Sequence, residues 1–69
     1  MSTTIDNIIA LSKNSAAPIG ARIAALEGLP GSPNAAVSAA LIAMVLSGSY
    51  TTELRAAAAK AAARFVVPD

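Results

Sequence analysis

The segment Asn34–Leu46, NAAVSAALIAMVL, contains no charged residue, and after Asn34 its only polar side chain is Ser38. The gap in charge is wider than the segment, since no Lys, Arg, Asp or Glu occurs between Glu27 and Glu53. Val37, Leu41, Met44 and Val45 form a stripe at helical spacing, with Ile42 and Leu46 to one side and Ala36, Ala39 and Ala43 filling the rest. Ala is a poor strand former and the run is longer than a usual strand, so a helix apolar on nearly every face is expected. Ser32 as N-cap and Pro33 at the first helical position give it a start, and Gly48 a stop. The other segments then read as its cover.

On the N-terminal side, Ser2, Thr3 and Thr4 offer caps and Asp6 suits the first turn of a helix. Ile5, Ile8, Ile9 and Ser12 recur on one face, with Asp6 and Lys13 opposite. Ser15 is read as the cap of a second helix with Pro18 in its first turn. Ile19, Ile23 and Leu26 form its stripe, Arg22 and Glu27 face solvent, and Gly28 with Pro30-Gly31 ends it. On the C-terminal side, Thr51 or Thr52 caps a fourth helix with Glu53 in its first turn. ELRAAAAKAAAR has high intrinsic helix propensity. Leu54, Ala58, Ala61 and Phe65 make its narrow apolar face, with Glu53, Lys60 and Arg64 opposite, and Pro68 prevents continuation. The expected fold is one all-α domain spanning residues 1–69, with helices over about 4–14, 16–29, 33–47 and 52–66 forming two helix-turn-helix hairpins.

The order of segments shows an internal repetition. At an offset of 33 residues Ile9 aligns with Ile42, Ala10 with Ala43, Arg22 with Arg55 and Ala24-Ala25 with Ala57-Ala58. ARIAAL at Ala21–Leu26 and LRAAAA at Leu54–Ala59 resemble the opening of the second helix in HEAT-type repeats, especially their short bacterial form. Both lack the acidic residue common before that Arg, Pro18 and Thr51 standing in the turns. The stripe Ile19, Ile23, Leu26 also fails to superpose on Leu54, Ala58, Ala61 at the same offset. The resemblance implies stacked hairpins that bind protein, and so a HEAT-like pair; a small four-helix bundle is the other architecture compatible with the pattern. Two such repeats usually need caps or neighbours.

The totals exclude much chemistry. There is no Cys and no His, which removes disulfides, thiolate zinc sites, the cysteine nucleophile and the usual neutral-pH base. The acids Asp6, Glu27, Glu53 and Asp69 do not recur at i, i+3 or i+4, so no carboxylate pair for acid–base work or metal binding is indicated. Ser32, Ser47 and Ser49 lack a base, Tyr50 reads as a rim residue, and neither Lys13 nor Lys60 shows Schiff-base surroundings. The glycines of Gly28–Pro33 precede a helix, but Pro30 and Pro33 remove amide donors that a phosphate would need. No catalytic residue, metal or cofactor is expected, and the chain is read as a non-enzyme.

A net charge of +1 gives no steering toward nucleic acid or acidic lipid. Apolar runs stop short of the roughly 20 residues a membrane span needs, and no cationic leader precedes one. Cytoplasm, or a particle assembled there such as a virion, is the expected location.

Protein association is the leading reading: a structural or adaptor protein in a homo-oligomer or larger assembly, with Val37, Leu41, Ile42, Val45 and Leu46 as the candidate interface. Small domains without disulfides or metals often gain stability from oligomerisation, and the all-apolar third helix supplies the surface. The first alternative is a DNA-binding regulator. ARIAALEGL followed by SPNAAVSAAL resembles the paired helices of bacterial helix-turn-helix proteins, with Asn34 and Ser38 at the reading end and Arg55, Lys60 and Arg64 as backbone contacts. Against it, no Lys or Arg occurs from Gly28 through Leu54 to meet phosphates. The second alternative is a membrane-active bundle, since small apolar cationic chains of this length resemble circular bacteriocins; here the dense Lys patch and interfacial Trp are missing.

Overall fold

A computed structural model describes residues 3–68. Ser2 and the Thr3 side chain, two of the expected caps, lie outside the described residues, as does Asp69. Four helices follow one another: α1 (Thr3–Lys13), α2 (Ile19–Glu27), α3 (Ala35–Leu46) and α4 (Thr52–Ala63). Among the described residues there is no strand. The chain is all-α. α1 packs on α2 and α3 on α4, giving two hairpins, and α2 packs on α4 to join them.

Each boundary has a local cause. α1 has Asp6 in its first turn and Lys13 in its last, both matched to the helix dipole. It stops where Asn14 takes over the hydrogen bonding, its Oδ1 accepting from the Ala16 N–H at 2.9 Å and its carbonyl from the Ala17 N–H at 3.1 Å. That turn delays the second helix. Ser15 does not cap it and Pro18 is not inside it; Pro18 is the N-cap, with ψ at 143°, and makes no side-chain cap bond. α2 then ends at Glu27, and Leu29, expected inside the helix, lies beyond it and is buried in the core.

α3 begins two residues later than Ser32 and Pro33 suggest. Asn34 is its N-cap, with Oδ1 accepting from the Val37 N–H at 3.2 Å. The reason lies far along the chain: the Asn34 N–H donates to the Phe65 carbonyl at 3.0 Å, which holds Asn34 extended. At the other end the helix stops at Leu46 with Ser47 as C-cap, and Gly48 falls in the turn, where the Ser47 hydroxyl accepts from the Ser49 N–H at 3.2 Å. Thr51 caps α4 through its Oγ1, which accepts from the Leu54 N–H at 3.2 Å. α4 ends at Ala63 rather than near 66, because the amides of Arg64 and Phe65 bond three residues back, to Ala61 and Ala62. That tightened turn drives Phe65 into the core.

The core corrects the expectation that α3 is the centre. α4 contributes Leu54, Ala57, Ala58, Ala61 and Ala62, all buried, and Phe65 follows them. It packs closely against α3 of its own hairpin and against α2 of the other. Small side chains set how near two helix axes can come, and this row of alanines lets two neighbours approach one helix. α3 buries the stripe Val37, Ser38, Leu41, Met44, half-buries Ala40 and Val45, and leaves the rest of its circumference outward. α1 adds Ile9 and Ser12, with Ile5 and Ile8 partly buried; α2 adds Leu26, with Ile23 partly buried and Ile19 exposed.

An alanine with a fully covered Cβ has no room for a longer side chain. Ala58→Leu is therefore expected to lower stability by about 1–3 kcal/mol through overpacking. Ala59→Leu on the exposed side of the same helix should stay within about 0.5 kcal/mol of the parent. Urea unfolding followed by circular dichroism checks the pair; equal losses would show that α4 does not present its alanines to two neighbours.

Candidate functional site

α3 carries no charge, so its uncovered side is an apolar surface by default. Ala39, Ile42, Ala43 and Leu46 share that side at i, i+3, i+4 and i+7. Ile42 is 46% exposed and Leu46 77%. Of the five residues read as an interface, these two are accessible. Val37 and Leu41 are not, because they form the stripe that packs inward. Val45 is half-buried against the core, and its carbonyl is occupied by an arginine.

The residues read as nucleic-acid contacts are mostly engaged elsewhere. Asn34 caps α3, and Ser38 is buried. Arg55 donates from Nε to the Val45 carbonyl at 2.7 Å. Arg64 donates from Nη1 to the carbonyls of Glu27 at 2.8 Å and Leu29 at 3.0 Å. Only Lys60 of the five is an exposed side chain for which no structural bond is found. α2 packs on α1 and α4 rather than forming a close pair with α3.

Arg22 overturns its reading as a solvent-facing residue. It is buried, its Nε donates to the Ser12 carbonyl at 2.9 Å, and its guanidinium carbon stands 5.9 Å from the centre of the Tyr50 ring. The carbonyl of the last turn of α1 has no intrahelical partner and accepts the charge-assisted bond instead. The aromatic face adds a cation–π contact from the turn of the other hairpin. The same bond recurs one repeat later. Arg22 and Arg55 each reach the carbonyl ten residues back, Ser12 and Val45, and both pairs are related by 33 residues. The two hairpins thus close themselves with one device. Ser12 is also buried, its hydroxyl donating to the Ile9 carbonyl at 2.6 Å and lying 3.8 Å from Met44 Sδ on α3. Among the described residues no buried side-chain N or O lacks a hydrogen-bond partner.

α1 and α3 do not close tightly on one another. An open groove of about 320 Å³ runs between them, lined by Asp6, Ile9, Ala10, Lys13, Ala36, Val37 and Ala40. Among the described residues Asp6 and Lys13 are the charged groups that line it, and no second carboxylate stands with Asp6 there. Among the described residues no group of three or more Asp or Glu gathers to hold a metal, and no helix is long and apolar enough to cross a membrane. Compared with known proteins, the chain matches no family model, and no curated protein or solved structure is significantly similar to it.

The buried guanidinium makes a stability prediction. Arg22→Met removes a charge-assisted bond and leaves the Ser12 carbonyl without its donor, for an expected loss of about 1.5–3 kcal/mol. Arg55→Met, at a half-buried position, should lose less. Thermal unfolding of both variants checks the order, and a neutral Arg22→Met would refute the role given to this bond.

Proposed function

We propose that this chain is a non-enzymatic helical structural or adaptor protein that acts through protein–protein association, in a homo-oligomer or a larger assembly such as a scaffold or virion, located in the cytoplasm or in a particle assembled there. The observation that carries the reading is the outward side of α3, where Ile42 and Leu46 stand exposed on a helix without charge. Apolar surface of this kind, grouped on one face, is what association buries. The two hairpins are further read as a pair of HEAT-like repeats. Their common arginine-to-carbonyl bond at the 33-residue offset supports that reading, because it ties the matched Arg residues to matched positions in space. Hairpins of such arrays contact their neighbours through their faces, and their function is to present surface to protein.

Sedimentation velocity over a concentration series tests the proposal. The parent chain should show a weight-average mass that rises with concentration. Ile42→Asp with Leu46→Asp changes only exposed side chains, so the variant should keep its helical circular dichroism and sediment as a monomer throughout. A parent that stays monomeric at every concentration, or a double variant that associates like the parent, would contradict the reading.

A further inference from the structure

The 33-residue offset relates more than the arginines. Ile42, 46% exposed on α3, corresponds to Ile9 on α1, which is 7% exposed. Leu11, 43% exposed on α1, corresponds to Met44 on α3, which is 2% exposed. Met44 is covered where it meets Ser12 of the first hairpin, and Ile9 is buried at the groove between α1 and α3; Leu11 and Ile42 hold the same positions in the repeat and are uncovered. Leu46 corresponds to Lys13, which lines the groove between α1 and α3 beside Ala40 and Met44.

We propose that a second copy of this chain covers the outward side of α3, docking its own first hairpin there head to tail, so that α1 of the second copy stands to α3 as α3 stands to α1 within the chain. The inference rests on the association reading above and names its partner and its geometry. The register follows from the internal joint. Ser12 meets Met44 there; advanced by one repeat, that pair becomes Val45 of one copy and Leu11 of the next. Lys13 beside Met44 becomes Leu46 beside Leu11, so the two exposed leucines cover one another. The substitutions along α3 suit a covered surface. Where α1 has Asp6, Ser12 and Lys13, α3 has Ala39, Val45 and Leu46. A terminal hairpin facing water needs a more polar outer side, and this one is less polar than the side it replicates.

Two holds of the internal joint do not recur. Arg64, which bonds the Glu27 and Leu29 carbonyls, is matched by Gly31, and Tyr50, which lies under Arg22, is matched by Ala17. The contact between copies is therefore weaker than the joint within the chain, and association depends on concentration. A head-to-tail contact also propagates into rings or open chains instead of ending at a two-fold dimer.

The chain has no Cys, which makes a directed cross-linking test direct. A Leu46→Cys chain is mixed with a mass-tagged Leu11→Cys chain, both checked for parental circular dichroism, and the mixture is oxidised mildly. The mixed disulfide should exceed either homodimer by about tenfold. A dominant homodimer of Leu46→Cys would indicate a two-fold contact and overturn the head-to-tail geometry while leaving association standing. Absence of the mixed disulfide with a parent that still oligomerises would do the same. Absence of any cross-link, with a parent that sediments as a monomer at all concentrations, would overturn both this inference and the function proposed above.

Discussion

The structure depends on the close approach of two helices to the alanine row of α4. Ala57, Ala58, Ala61 and Ala62 are buried, and α2 and α3 both pack on this helix. A row of larger side chains would hold at least one neighbour at a distance, and the two hairpins would lose their joint. Leu54 at one end and Phe65 beyond the other supply the volume that alanine lacks. Phe65 also fixes the connection between hairpins, since its carbonyl accepts the Asn34 amide that starts α3.

That arrangement decides what is left outside. α4 has two close helix neighbours and α3 packs closely on α4 alone, so part of an uncharged helix remains in water. The exposed Ile42 and Leu46 thus follow from the way the helices are shared out. The arginines complete the frame. Each closes its hairpin through a carbonyl near the end of the preceding helix, and Arg22 adds a contact to Tyr50 across the joint. A repeated device at a repeated offset gives the molecule a direction along its length. The proposed assembly extends that direction from one copy to the next.

Much of this was legible in the sequence. Helical spacing placed Val37, Leu41 and Met44 in one stripe and Leu54, Ala58, Ala61 and Phe65 on one face, and both sets are buried, because apolar burial follows a period that local sequence displays. Thr51 was readable as a cap because its partner is three residues away. What was missed depends on distant partners. Ser32 yields to Asn34 as the cap of α3 because Phe65 holds the Asn34 amide. Arg22 looked solvent-facing because charge argues for water and its carbonyl partner lies in the previous helix. The most hydrophobic helix looked central because hydropathy weighs side-chain size, whereas close packing of several helices favours the smallest side chains. For the candidate site, the exposed pair Ile42 and Leu46 was named together with Val37, Leu41 and Val45, of which the first two are buried and the third half-buried. Without a known orientation, a helix apolar all round does not reveal which side turns outward.

Methyl NMR over a dilution series most directly tests the claim that the uncovered side of α3 is where this protein meets its partner. With the methyl groups of Ile, Leu and Val labelled, rising concentration should shift or broaden Ile42, Leu46 and Leu11 and leave Leu41, Leu54 and Leu26 unchanged. Spectra independent of concentration, or changes confined to Ile9 and Val37 in the groove between α1 and α3, would contradict it.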